Sequence, residues 1–130
     1  MKTSLADKWF SIFIRLRDSD DKGCCTCITC GNIRFWKNLD CGHWIKRQHL
    51  GARFNEKNCA AQCKGCNAFE QGRSSEHEKF IIEKYGQQTR DLLKSAERNY
   101  TKYSKLEIDL LAKEYQAKAK LLAFEKGLII

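Results

Sequence analysis

Apolar side chains return every three or four positions through the first stretch of the chain, SLADKWFSIFIRLRD, at Leu5, Trp9, Ile12, Phe13 and Leu16. The spacing predicts one amphipathic helix over 4–18, opened by Thr3 or Ser4 as a cap and ended by the polar DSDDKG. The next fifty residues lose that period. Residues 23–72 hold short β-type runs such as IRFW, glycines at 31, 42, 51, 65 and 72, and most of the Cys and His. This predicts a small α+β knuckle with short strands and no long helix before its end. From Ser75 onward the helical period is back. SEHEKFIIEKYG closes on a glycine cap, TRDLLKSAERN follows, and SKLEIDLLAKEYQAKAKLLAFEKG gives the longest helix. Its stripe of Leu106, Leu110, Ala117 and Leu121 is expected to be packing surface, against the core or a sister subunit. The expected organisation is an N-terminal helix (1–22), a core (23–74) and a C-terminal helical region (75–130), together one compact unit.

Composition narrows the partners. The chain has 130 residues and a net charge of +8, with a pI near 9.1. The surplus sits mostly in residues 1–72, which hold 12 basic and 7 acidic side chains. Such a surface favours a polyanion, most often nucleic acid, through counterion release. No apolar stretch has transmembrane length, and MKTSLADKWF lacks the apolar run of a signal peptide. The expected location is the cytoplasm. There thiols stay reduced, so the eight cysteines read better as metal ligands than as disulfides.

GCCTCITCGN (23–32) contains two overlapping C-x-x-C pairs, Cys24/Cys27 and Cys27/Cys30, and CKGC at 63–66 supplies a third. Two such pairs provide the four thiolates of a tetrahedral structural Zn²⁺ site. Gly31 directly after Cys30 suits the turn of a knuckle, since Gly takes positive φ without strain. That favours the set Cys27, Cys30, Cys63 and Cys66. Cys24, Cys25, Cys41 and Cys59 fit better as buried free thiols. The 32 residues between the two pairs exceed an ordinary zinc ribbon, so the insert is where chemistry is expected. There His43 stands among Lys46, Arg47, His49, Arg53 and Lys57, with Asn58 five residues before Cys63 and Asn67 directly after Cys66. A His to take a proton from water, an Asn to orient it and a polar ligand at a helix start make a hydrolytic set.

The order Cys-x-x-Cys, Gly-His, Asn, Cys-x-x-Cys resembles the zinc-containing HNH (ββα-metal, treble-clef) endonucleases. More closely, FIRLRD, CGHWIKRQH, RFNEKN, QCKGCN and EKYG are together similar to the lambdoid-phage NinG/Rap family of recombination endonucleases, from about Trp9 to Gly86. The resemblance implies an α+β, zinc-stabilised HNH-like core with helical extensions at both ends. It implies His43 as general base, Asn58 bracing its loop, and Asn67 as a ligand of a catalytic Mg²⁺ or Mn²⁺. The usual acidic ligand directly before the base is replaced by Gly42, leaving Asp40 and His49 as candidates for that ligand. Lys46, Arg47, Arg53, Lys57 and Lys64 are expected on DNA phosphates rather than bases. The implied substrates are branched DNAs such as Holliday junctions and D-loops. The rival reading is a non-catalytic zinc module that binds DNA or a recombination partner. Host or phage recombination proteins are candidate partners. Symmetric resolution needs two active sites, so a homodimer through the C-terminal helices is expected.

Overall fold

The structure, a computed structural model, describes residues 2–130 and, at 70–72, the backbone alone. Helix α1 (Ser4–Arg17) leads into the hairpin β1 (Cys24–Thr26) and β2 (Ile33–Phe35), then β3 (Leu39–His43). The short α2 (Leu50–Arg53) returns the chain to β4 (Cys59–Cys63), and α3 (Lys64–Ala68) follows at once. Helices α4 (Glu70–Tyr85), α5 (Gln87–Ser95) and α6 (Lys105–Lys126) complete the chain. Both sheets are two-stranded and antiparallel, with Cys25 opposite Arg34 in one and His43 opposite Cys59 in the other. The mixed α+β class is therefore as expected.

Helix α1 buries Ala6, Trp9, Phe10, Ile12, Ile14 and Leu16, more than a single stripe. It can do so because α6 covers one side and the β3–β4 hairpin another. Leu5, counted in the predicted stripe, is exposed. The core shared by these elements joins Phe10, Leu39, Phe54, Ala61 and Tyr115, with Phe10 edge-on to both Phe54 and Tyr115. Lys126, at the end of α6, donates to the carbonyls of Leu16, Arg17 and Ser19, satisfying the C-terminus of α1.

Helix α6 has a Ser104–Glu107 capping box and ends on Gly127 in the left-handed region (φ +70°). Its buried stripe is Ile108, Ala112, Tyr115, Ala119 and Ala123. Leu106, Leu110, Ala117 and Leu121 do not pack against the core; they lie on the surface. The alanines permit close approach to α1, which is worth more here than bulk. Counting large apolar residues therefore misses the face that meets α1; of the two expected uses of that stripe, its exposure leaves the sister subunit.

A second apolar cluster of Trp44, Ile45, Ala52, Ile81 and Leu93 sits under α4 and α5. Gly86 (φ +98°) caps α4, as its sequence predicts. Next to that cluster His77 is 1% exposed, and its Nε2 has no hydrogen-bond partner among the described residues. Burial, with His43 and Lys46 nearby, pulls its pKa from 6.5 to about 3. Between those values the unfolded chain binds a proton that the folded chain refuses, so stability falls as pH drops through that window. The loss between pH 7 and pH 5 should be about 2 kcal/mol. Urea unfolding at both pH values measures it, and His77→Leu should flatten the difference.

Candidate functional site

The turn after β1 carries Cys27 and Cys30, β4 ends on Cys63, and α3 supplies Cys66. Their sulfurs lie within 4.8 Å of one another, Cys30 and Cys63 at 3.7 Å. A Zn–S bond of about 2.3 Å sets S···S near 3.8 Å in a tetrahedron, so the four cysteines could hold a zinc ion. Gly31 makes the knuckle turn at φ +77°, where an L side chain would be strained. The Cys63 N–H donates to Cys27 Sγ (3.3 Å) and the Cys66 N–H to Cys63 Sγ (3.4 Å). Burial disfavours the Cys27 thiolate, but the Thr29 hydroxyl and the amides of Cys63, Cys30 and Thr29 outweigh it and bring its pKa down to about 6. Cys24 is exposed and outside this group.

Along the unpaired edge of β3 runs a cavity of about 490 Å³. Strand alternation sends Asp40 and His43 to opposite faces of β3, yet both reach this cavity, and Asn67 of α3 joins them. Asp40 accepts from Asn67 Nδ2 at 3.0 Å and from Lys64 Nζ at 2.8 Å. His43 Nε2 lies 2.9 Å from the Arg53 carbonyl, so that nitrogen is the donor and Nδ1 carries the lone pair of the neutral ring. Burial lowers the His43 pKa, against the pull of the Arg53 and Cys41 carbonyls, and Arg47 adds to the lowering. Asn58 is fully buried and does not line the cavity. It accepts from the Ile45 N–H (2.8 Å) and donates to the carbonyls of Ile45 (3.0 Å) and Ala52 (3.1 Å). The next carbonyl after Ala52 is the one that holds His43.

A side chain at Gly42 would overlap the carboxamide of buried Gln62, which would have to move for an acidic ligand to stand directly before His43. His49 is not at this site: it lies on a separate cavity with Gln48 and Ala96–Thr101. Arg53 is not free for DNA either. It grips Asp7 through Nε (2.9 Å) and Nη2 (2.6 Å) and reaches Thr3 and the Arg47 carbonyl. Lys46 is half-buried, with its pKa lowered by that burial. Lys57 lies over Tyr85, on a different cavity with Thr89 and Leu92. Arg47 and Lys64 do border the Asp40–His43 cavity, and both are more than half exposed. The far wall, Asp7, Lys8, Ser11 and Arg15 of α1, is absent from the sequence reading. Its signal was the polar face of that helix, where these four positions cluster.

The family model described as "Bacteriophage Lambda NinG protein" matches residues 3–125. The chain belongs to the NinG family. The match takes in α6, well beyond the Trp9–Gly86 stretch whose fragments were recognisable. A curated relative, "Protein ninG" of Escherichia phage lambda, is 32% identical over 118 residues, covering 88% of this chain and 54% of that protein. This NinG-family chain thus spans about half the length of that relative. No solved structure matches it. Among the described residues no helix is long and apolar enough to cross a membrane.

Proposed function

We propose that this NinG-family chain is a metal-dependent DNA endonuclease that acts on branched recombination intermediates such as Holliday junctions and D-loops. The observation that carries the reading is Asp40, His43 and Asn67 on one cavity, rimmed by Lys8, Lys37, Arg47 and Lys64 and adjoining the four-cysteine knuckle. In this reading Cys27, Cys30, Cys63 and Cys66 would hold Zn²⁺ and so tie β4 and α3, and with them Asn67, against β3. His43 Nδ1 takes a proton from water; the water oxygen bonds to phosphorus as the bond to the leaving sugar oxygen breaks, and that oxygen takes a proton from solvent. The Arg53 carbonyl, held in place through Asn58 and the Asp7–Arg53 pair, keeps the imidazole turned for that transfer. Asp40 and Asn67 are the residues that would hold Mg²⁺ or Mn²⁺, hard ions that favour oxygen donors. That ion would stabilise charge on the scissile phosphate. The basic rim would neutralise flanking phosphates and read shape rather than sequence.

The deciding assay is cleavage of a four-way junction, beside a duplex of the same sequence, by zinc-loaded protein in Mg²⁺ or Mn²⁺. Junction cleavage should be faster, and Asn67→Ala should raise the Mn²⁺ concentration needed several-fold. The missing acidic neighbour at Gly42 favours the rival, a non-catalytic zinc-dependent DNA-binding module. Junction binding with no cleavage in either metal would establish that rival instead.

The basic residues separate by role. Replacing Arg47 and Lys64 together with alanine should weaken binding to all DNA sequences alike and lower the salt slope by about 2. Arg53→Ala should act on stability, by about 2 kcal/mol, because the half-buried Asp7 carboxylate loses both of its bonds to Arg53 and keeps only Thr3 and the exposed Arg47. Filter binding across a salt series and thermal unfolding distinguish the two effects.

A further inference from the structure

The same face of the β3–β4 hairpin carries a second group of metal-binding side chains. Cys41 Sγ, Cys59 Sγ and a ring nitrogen of His43 lie within 4.8 Å of one another, separate from the knuckle. Register explains the cluster: His43 is directly opposite Cys59, and Cys41 is two residues along on the same face. We propose that Cys41, Cys59 and His43 form a binding site for a thiophilic divalent ion of the Zn²⁺ or Cd²⁺ class, with its fourth position open to the Asp40–Asn67 cavity.

Three features of the site support this. Two sulfurs and an imidazole select soft ions, whereas Asp40 and Asn67 suit hard ones, so the two sites do not compete for the same metal. One divalent ion with two thiolates and a neutral imidazole is uncharged overall, which suits a place where a lone thiolate would be costly. Indeed burial and the neighbouring Cys41 keep the Cys59 thiol strongly protonated without an ion. Finally, Cys41 and His43 line the cavity while Cys59, across the hairpin, is buried and does not, so an ion would enter from the cavity past Cys41 and His43. With three protein ligands this site should fill after the four-cysteine knuckle.

The consequence rests on the endonuclease reading. Nε2 of His43 is held by Arg53, so a metal on this ring takes Nδ1, the lone pair assigned to the attacking water. A thiophilic ion would then act as an inhibitor that Mg²⁺ cannot displace by competing for its own ligands.

The test is a Cd²⁺ titration of the full chain, purified with its knuckle zinc, followed by thiolate-to-metal absorption and elemental analysis. Wild type should take up a second ion per chain, and the ¹⁵N resonances of the His43 ring should shift with it. Cys59→Ala and, independently, Cys41→Ala should each weaken the second site by more than the roughly hundredfold cost of losing an outer-shell partner, with the first site unchanged. A single ion at saturation, or a second ion retained by both variants, would overturn the proposal. Cleavage supplies a separate arm: in wild type it should fall as the second ion binds, and in Cys59→Ala it should not respond. A protein that cuts no DNA under any condition would sink the endonuclease reading, while the ion count would still decide the site.

Discussion

His43→Ala should cut branched DNA about a hundredfold more slowly, or worse, while retaining zinc and junction binding. The expectation follows from where the imidazole sits. Its Nε2–H is committed to the Arg53 carbonyl, its ring lies beside Phe10, and the cavity with Asp40 and Asn67 is on its remaining side. The knuckle cysteines are elsewhere, and the basic rim is untouched, so binding should survive. Truncation does leave the Arg53 carbonyl without its donor, a stability cost on the order of 1–3 kcal/mol. His43→Gln, an uncharged amide that can donate to that carbonyl, controls for this: it should recover stability and not activity. The wild-type pH profile adds a readout that a structural role would not move. Only neutral imidazole can accept a proton, and burial lowers the His43 pKa below its ordinary 6.5. Activity should therefore climb with pH on a limb lying below 6.5 and be flat by neutrality. A limb above pH 7, or a His43→Ala protein that cuts as fast as wild type, would assign the proton to another group.

What the sequence disclosed and what it hid divide along locality. The Cys27/Cys30 register was legible because Gly31 is adjacent and its positive φ is a local demand. The end of α4 was legible in Gly86 for the same reason. Asp40 meeting Asn67 was half legible: both were named, but their contact needs α3 to turn back from the end of β4 onto β3. His49 was misplaced because nearness along the chain says nothing about which side of α2 a residue reaches. Arg53 was misread because its partner, Asp7, is 46 residues away on a helix credited only with packing. The vacancy of an acidic ligand at Gly42 becomes intelligible only once Gln62 is seen to fill the space across the hairpin. On α6 the buried stripe is built largely from alanine, which a count of large apolar residues overlooks.

Cys63→Ser should have the largest effect on the molecule as a whole. Cys63 ends β4, begins α3, and holds three roles in the knuckle at once. Its Sγ lies 3.7 Å from Cys30 Sγ, its sulfur accepts the Cys66 N–H, and its own N–H points at Cys27 Sγ. A serine hydroxyl is a poor zinc ligand and too short to span the tetrahedron. Structural zinc sites contribute on the order of 10 kcal/mol of apparent binding energy, and a domain of this size is stable by about 5–15 kcal/mol in total. Losing the ion should therefore remove most of the stability of the central region. Because β4 and α3 deliver Cys63, Cys66 and Asn67 together, activity should disappear with the fold and not separately from it. Wild-type protein should carry one tightly held zinc per chain by elemental analysis, and Cys63→Ser should carry none and melt far lower. Cys24→Ser, on an exposed thiol outside the cluster, should stay within about 0.5 kcal/mol of wild type. Folded wild-type protein that holds no zinc, or a Cys24→Ser variant that loses it, would show that a different set of sulfurs closes the knuckle.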